Sequence, residues 1–203
     1  AFLLMDLEAY GKGAWANKAL NRYLEITGDY QCLMLLNFYK CFRSMVRAKV
    51  ATLGAKADQE TFRKYLILSQ SYQEKKRPLL ILMHGLSGSG KSYLSEKLLE
   101  NTHAIRIRSQ TERKRLHLEL QKKGKTVELH GPEINARLSQ HLLNLTQQLI
   151  SQGNTVIVDG TFLKQHFRQK YINLAQNLAI PIKIISCQCD LKLMEARLVK
   201  AED

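Results

Sequence analysis

Eight residues constrain this chain more than any others: Gly85-Leu86-Ser87-Gly88-Ser89-Gly90-Lys91-Ser92. They fit the pattern G-x-x-x-x-G-K-[ST] in full. A continuous apolar run, Leu79-Leu80-Ile81-Leu82-Met83, precedes them, and an amphipathic segment with Leu94, Leu98 and Leu99 follows, so the loop joins a buried strand to a helix. Glycines at this spacing let the backbone take positive φ and turn successive N–H groups inward around an anion, where side chains would block the approach. Lys91 extends that cradle toward the outer phosphates and Ser92 offers a hydroxyl to Mg²⁺. The helix opening near Gly90 aims its positive end at the same anion. A glycine-rich turn that binds nothing does not explain why Lys-Ser follows Gly90. Residues 85–92 therefore read as a nucleoside triphosphate site, with ATP and Mg²⁺ as the expected ligands.

Two further apolar runs, Thr155-Val156-Ile157-Val158 and Ile182-Lys183-Ile184-Ile185, are separated from the first by helical patterns at about 132–152 and 164–179. A shorter strand near 104–107 runs into a basic helix. Buried strands alternating with helices predict an α/β fold of the P-loop NTPase class, a parallel sheet flanked by helices. Asp159 closes the third run, before Gly160-Thr161-Phe162. A carboxylate at the C-terminal end of a strand beside the phosphate loop is placed to hold Mg²⁺ directly or through water, although it could also cap the next helix. Residues 1–77 show no period-2 strand. Apolar residues there recur at helical spacing: Trp15, Leu20, Tyr23 and Leu24 up to Gly28, then Cys32, Leu35, Leu36, Tyr39, Phe42, Val46 and Val50 up to Gly54, then Phe62, Tyr65, Leu66 and Tyr72. Asp29 stands where an N-cap belongs, and Lys75-Lys76-Arg77-Pro78 marks a boundary. The expectation is an all-helical subdomain over 1–77 and a nucleotide-binding domain over 78–203.

Charge raises a second possibility. With 31 Lys+Arg against 18 Asp+Glu the chain carries +13, which invites a nucleic-acid partner. The excess divides evenly, +6 over residues 1–77 and +7 over 78–203. Within the second part it concentrates in Arg106, Arg108, Arg113, Lys114, Arg115, Lys122, Lys123 and Lys125, opposed by Glu112 and Glu119. That cluster reads either as a solvated helix face or as an anion site beside the phosphate loop. Arg108 and Arg113 are the candidates for charge on the transferring group or the acceptor, and Arg168 and Arg197 rank second. His84 reads as a packing residue. The four cysteines form no CxxC pair, which predicts reduced thiols and a cytoplasmic setting. No apolar run approaches the ~18–20 residues that cross a bilayer, so no membrane partner is expected.

The combination of Gly85–Ser92, the segment Arg106-Ile107-Arg108-Ser109-Gln110-Thr111-Glu112-Arg113-Lys114-Arg115-Leu116, the segment Val156-Ile157-Val158-Asp159-Gly160-Thr161-Phe162-Leu163-Lys164 and a closing strand near Ile184 resembles a known family. It is similar to the P-loop kinase-like domain of AAA-family ATPases that is fused behind an aminoglycoside-phosphotransferase-like domain. Residues 1–54, with Phe2-Leu3-Leu4-Met5-Asp6-Leu7-Glu8 and Asn21-Arg22-Tyr23-Leu24-Glu25, resemble the last helices of that phosphotransferase-like part. The resemblance implies that the phosphotransferase acids lie upstream of this segment, so that this chain does not perform that reaction. It also implies an Asp at position 110, where this sequence has Gln. An amide orients an acceptor hydroxyl but cannot take its proton, and general-base help is worth ~10²–10⁴ in rate. The chain begins at Ala1 without Met and stops soon after Arg197, where resembling kinases continue into a mobile lid and a further strand. This predicts a piece of a longer protein.

The resulting expectation is a P-loop kinase that transfers the γ-phosphate of Mg·ATP to a small-molecule hydroxyl. Lys91 and Ser92 would bind phosphate and metal, Asp159 the metal, Arg108 and Arg113 the charge, and Gln110 the acceptor. Two alternatives stand beside it. One is a catalytically weakened ATP-binding or interaction module. The other is a polynucleotide 5′-hydroxyl kinase-like protein, for which the basic cluster lacks interleaved aromatics to stack bases.

Overall fold

A computed structural model describes residues 1–53, 57–74 and 77–202, in two compact units, Ala1–Lys76 and Arg77–Asp203. Gly54, Lys75 and Lys76, which the sequence marks as a helix stop and a boundary, lie outside the described residues.

The first unit is helical: α1 (Phe2–Ala9), α2 (Gly13–Thr27), α3 (Leu33–Thr52) and α4 (Gln59–Ser71). Gly28 stops α2 in the left-handed conformation, φ 72°, with its N–H on Leu24 O. Asp29 Oδ1 accepts the Cys32 N–H at 3.2 Å at the turn into α3. Asp58 caps α4 by accepting the Thr61 N–H at 2.9 Å. Met5, Ala48 and Tyr65 form the core, with Ala9, Phe62, Leu68 and Tyr72 packed against it.

Periodicity misplaces the buried faces of α2 and α3. α2 buries Ala16, Asn17, Asn21, Leu24 and Glu25, and Trp15 is 68% exposed. α3 buries Leu33, Lys40, Ser44 and Ala48, while Leu35, Phe38, Tyr39, Phe42 and Met45 stay exposed. Two physical reasons account for this. α3 is apolar around most of its circumference, so its pattern satisfies more than one stripe. The inward stripe also has partners of its own: small Ser44 and Ala48 permit close approach, and Lys40 Nζ donates to Glu8 Oε1 at 2.6 Å. The Tyr72 hydroxyl donates to the second oxygen of Glu8.

The second unit runs β1 (Leu80–His84), α5 (Lys91–Asn101), β2 (Ile105–Arg108), α6 (Ser109–Lys122), α7 (Pro132–Ser151), β3 (Val156–Asp159), α8 (Gln165–Asn177), β4 (Ile182–Ser186) and α9 (Leu191–Glu202). The sheet order is β2-β3-β1-β4 and every pairing is parallel. This is the α/β P-loop arrangement the alternation of runs predicts. Leu94, Leu98 and Leu99 of α5 pack on Ile81, Met83, Ala104, Ile157 and Ile185. α7 contributes a separate buried stripe through Leu138, Leu142, Leu145 and Leu149. β1, β2 and β3 are buried, but the edge strand β4 is not, and Ile184 is 42% exposed. All four strands point the same way, so the phosphate loop after β1, Arg108 ending β2 and Asp159 ending β3 lie on one edge of the sheet. That edge is where open α/β sheets bind ligands.

Candidate phosphate-binding site

The loop is shaped by its glycines. Gly85, Gly88 and Gly90 have φ of 141°, 78° and 90°, values that residues with a Cβ rarely adopt. Space enforces the same choice. A Cβ on Gly85 would meet Cys187 O at 2.4 Å, and one on Gly88 would meet Met194 O at 3.0 Å. α5 opens directly from Gly90.

Lys91 sits beneath this cradle, 7% exposed, with Nζ donating to Leu86 O at 2.6 Å. Burial pulls its pKa below the ordinary lysine value, opposed in part by Asp159. Lys91, Ser95 and Leu99 form the buried stripe of α5, and Ser95 connects the site. Its hydroxyl lies 3.0 Å from Ser92 O and 3.3 Å from Asp159 Oδ2. It also lies 3.3 Å from Arg106 Nη1, which donates to Ser92 O as well. Arg108 pairs with Asp159 across β2 and β3, with Nε 3.8 Å from Oδ2. Because alternate strand residues share a face, Arg106, Arg108 and Asp159 all point toward α5. A cleft of about 400 Å³ opens above, lined by Gly88, Gly90, Lys91, Ser92, Tyr93 and Arg197. Arg197 Nη1 donates to Gly88 O at 3.0 Å.

The sequence-derived residues divide accordingly. Gly85–Ser92, Asp159 and Arg108 come together, and Arg197 joins them. Arg113 does not: Nη1 donates to Leu129 O at 3.1 Å and to Asn135 Oδ1 at 2.7 Å, holding the turn before α7. Gln110 is exposed on the first turn of α6, two residues beyond Arg108. Much of the basic cluster is likewise engaged internally. Arg106 is buried, Arg115 pairs with buried Glu112, and Lys123 pairs with Glu119. Arg168 bonds the carbonyls of Phe162 and Leu163, and His84 Nδ1 lies 3.2 Å from Thr161 O. Sequence reasoning missed Ser95 and the inward aim of Arg106. The available signal was a serine one helical turn after Lys91, on the stripe that ends at Leu99.

The arrangement fits a triphosphate with a divalent cation. Lys91, Arg106, Arg108 and Arg197 outweigh Asp159, and the Ser89 hydroxyl is buried in the loop without a hydrogen-bond partner. Among the described residues no group of three His, Cys, Asp or Glu side chains could hold a metal. The donors at hand, the Ser92 hydroxyl and the Asp159 carboxylate, suit Mg²⁺, which takes few protein ligands and completes its shell with phosphate and water. No helix of the described residues is long and apolar enough to cross a membrane.

The uncharacterized proteins Rv2004c of Mycobacterium tuberculosis and Mb2027c of Mycobacterium bovis are each 27% identical to this chain, over 98% of its length and 42% of theirs. The chain thus spans about two fifths of these relatives. Among solved structures, the Pnkp1/Rnl/Hen1 RNA repair complex is similar at 16% identity and a TM-score of 0.49, covering 64% of this chain and 39% of that one. APE1195 is similar at 17% identity and a TM-score of 0.48, covering 64% of this chain and 70% of that one. The family described as an AAA domain matches residues 80–203, more than half of the sequence and nearly all of the sheet-bearing unit, and on that match the chain belongs to this AAA domain family.

Proposed function

We propose that the second unit binds Mg·ATP in its phosphate loop and transfers the γ-phosphoryl group to a hydroxyl acceptor, releasing ADP. The observation that carries this reading is the Ser95-centred network, which ties the Ser92 backbone, Asp159 and Arg106 together below the loop that holds Lys91. Lys91 would leave Leu86 O for the β/γ-phosphates, and Ser92 and Asp159 would hold Mg²⁺. Bound there, the ion neutralises charge on the β- and γ-oxygens. Arg108 and Arg197 would face the charge that develops on the transferred group. Gln110 would orient the acceptor, whose proton passes to solvent because an amide cannot accept it. Phosphoryl transfer depends mainly on positioning and electrostatics, so Gln110 supports a slowed kinase. Isothermal titration with Mg·ATP tests the site. Wild type binds and Lys91→Ala does not; equal binding by both, or by neither, sinks the proposal.

A small acceptor is favoured over an oligonucleotide, since Arg106, Arg113 and Arg115 are occupied by contacts within the protein. The first unit we assign as the closing helices of an aminoglycoside-phosphotransferase-like domain. The support is the exposed apolar side of α3, the kind of surface a domain buries against its other elements.

A further inference from the structure

The turn that follows Asp159 is strained, and one side chain holds it. Phe162 has φ 44°, a left-handed backbone that a bulky residue avoids. Its ring packs edge-on against Tyr171, with centroids 5.2 Å apart. It also lies so close over Gly160 that a Cβ there would meet it at 2.7 Å. Arg168, in the first turn of α8, donates from Nη1 to both Phe162 O and Leu163 O at 2.7 Å. A cation in that position faces the positive end of its own helix, which is unfavourable. Two charge-assisted hydrogen bonds to carbonyls offset this.

The turn acts on the phosphate loop. Thr161 O, just ahead of the strained residue, accepts the Gly85 N–H at 3.1 Å. Cys187 O closes the other side of Gly85, and the Cys187 N–H donates to His84 O at 2.7 Å. The entry to the loop is therefore gripped between the turn after β3 and the segment after β4.

We infer that Arg168 is a positioning residue for the phosphate loop: by bonding Phe162 O and Leu163 O it keeps Phe162 left-handed and Thr161 O on Gly85, which fixes where the loop starts relative to Asp159. Its functional weight rests on the nucleotide-binding reading above. Arg168 Nη1 is spent on the carbonyls of Phe162 and Leu163, so its effect on a bound nucleotide is routed through this relay of contacts.

The test compares the full chain with its Arg168→Ala and Arg168→Lys variants, by residue-resolved amide exchange and by titration with Mg·ATP. Arg168→Ala speeds exchange of the Gly85 amide by about tenfold or more while Ile81 and Leu82 in β1 keep their rates. It weakens Mg·ATP binding about tenfold, and Arg168→Lys recovers part of both. Unchanged Gly85 exchange overturns the inference. So does exchange that rises equally in β1, which marks a general stabiliser, and so does unchanged affinity in a protein whose wild type binds. If wild type binds no ATP, the nucleotide reading falls, and Gly85 exchange alone decides this one. Should Arg168→Ala fail to fold, the pair Phe162→Gly with Arg168→Ala decides. Glycine takes positive φ unaided, so Gly85 protection returns to within about threefold of wild type; failure to return refutes the relay.

Discussion

Lys91 carries the charge on which triphosphate binding depends, and the protein holds it where that charge is costly. Burial lowers its pKa, and Asp159 opposes the shift only in part. A bound triphosphate favours the ammonium form and raises the pKa again. Between the lowered value and the value in the complex, binding therefore takes up a proton, and affinity weakens as pH rises through that window. Titration at alkaline pH in two buffers of different ionisation enthalpy reads the uptake directly, and it vanishes at pH well below the lowered value, where Lys91 is charged before binding. The second prediction at this scale concerns Gln110. Gln110→Asp supplies the missing base and raises ADP release with a hydroxyl acceptor by roughly 10²-fold; no change removes Gln110 from the acceptor side. Lys91 stands out from its own neighbourhood, the G-x-x-x-x-G-K-[ST] pattern, whereas Gln110 stands out only against the family that the chain resembles. Ser95 was not legible, because a serine between Leu94 and Glu96 becomes a hub only when β2 and β3 bring Arg106 and Asp159 to its side of the sheet.

At the scale of elements, the phosphate loop is a strand–helix turn threaded between two other segments. Gly85 is needed for φ 141° and also because Cys187 O stands 2.4 Å from where a Cβ would be. That neighbour is backbone and cannot swing aside. Gly85→Ala is expected to cost about 1–3 kcal/mol. The loss is measured as a fall in Tm, alongside weakened Mg·ATP binding. Gly124→Ala, also at positive φ but with nothing within 4 Å, costs less. The motif predicted glycine here from conformation alone. The steric reason became visible only once β4 paired beside β1 and brought Cys187 against the loop. The strands were legible as apolar runs for a related reason, since a parallel sheet buries each central strand on both faces. β2 and β4 are both edge strands, yet β2 is buried and β4 is left half-open.

Across the whole molecule, net charge pointed toward nucleic acid, but position and packing redirect it. The buried Arg106 ties Ser92 and Ser95 together below the loop and Arg115 pairs with buried Glu112, while Lys91, Arg108 and Arg197 face the phosphate edge. In the first unit the exposed apolar side of α3 makes a prediction of its own. Phe38 and Phe42 are 64% and 52% exposed, so Phe38→Ser with Phe42→Ser shifts stability by no more than about 0.5 kcal/mol per site. A loss of several kcal/mol would place both residues in a core and refute the assigned open face.

What the sequence determined by itself was whatever depends on neighbours along the chain: the phosphate loop and its glycines, the helix stop at Gly28, the cap at Asp29, and the alternation that makes an α/β sheet. Tertiary structure decided whatever depends on which segments meet. It chose the inward stripe of α3, because Glu8 and Tyr72 satisfy Lys40 there. It turned Arg113 to Leu129 and Asn135 while bringing Arg108 onto Asp159. It also set Arg168 on the strained turn that grips Gly85. Periodicity offers several faces, and a side chain's role follows from the one its partners complete.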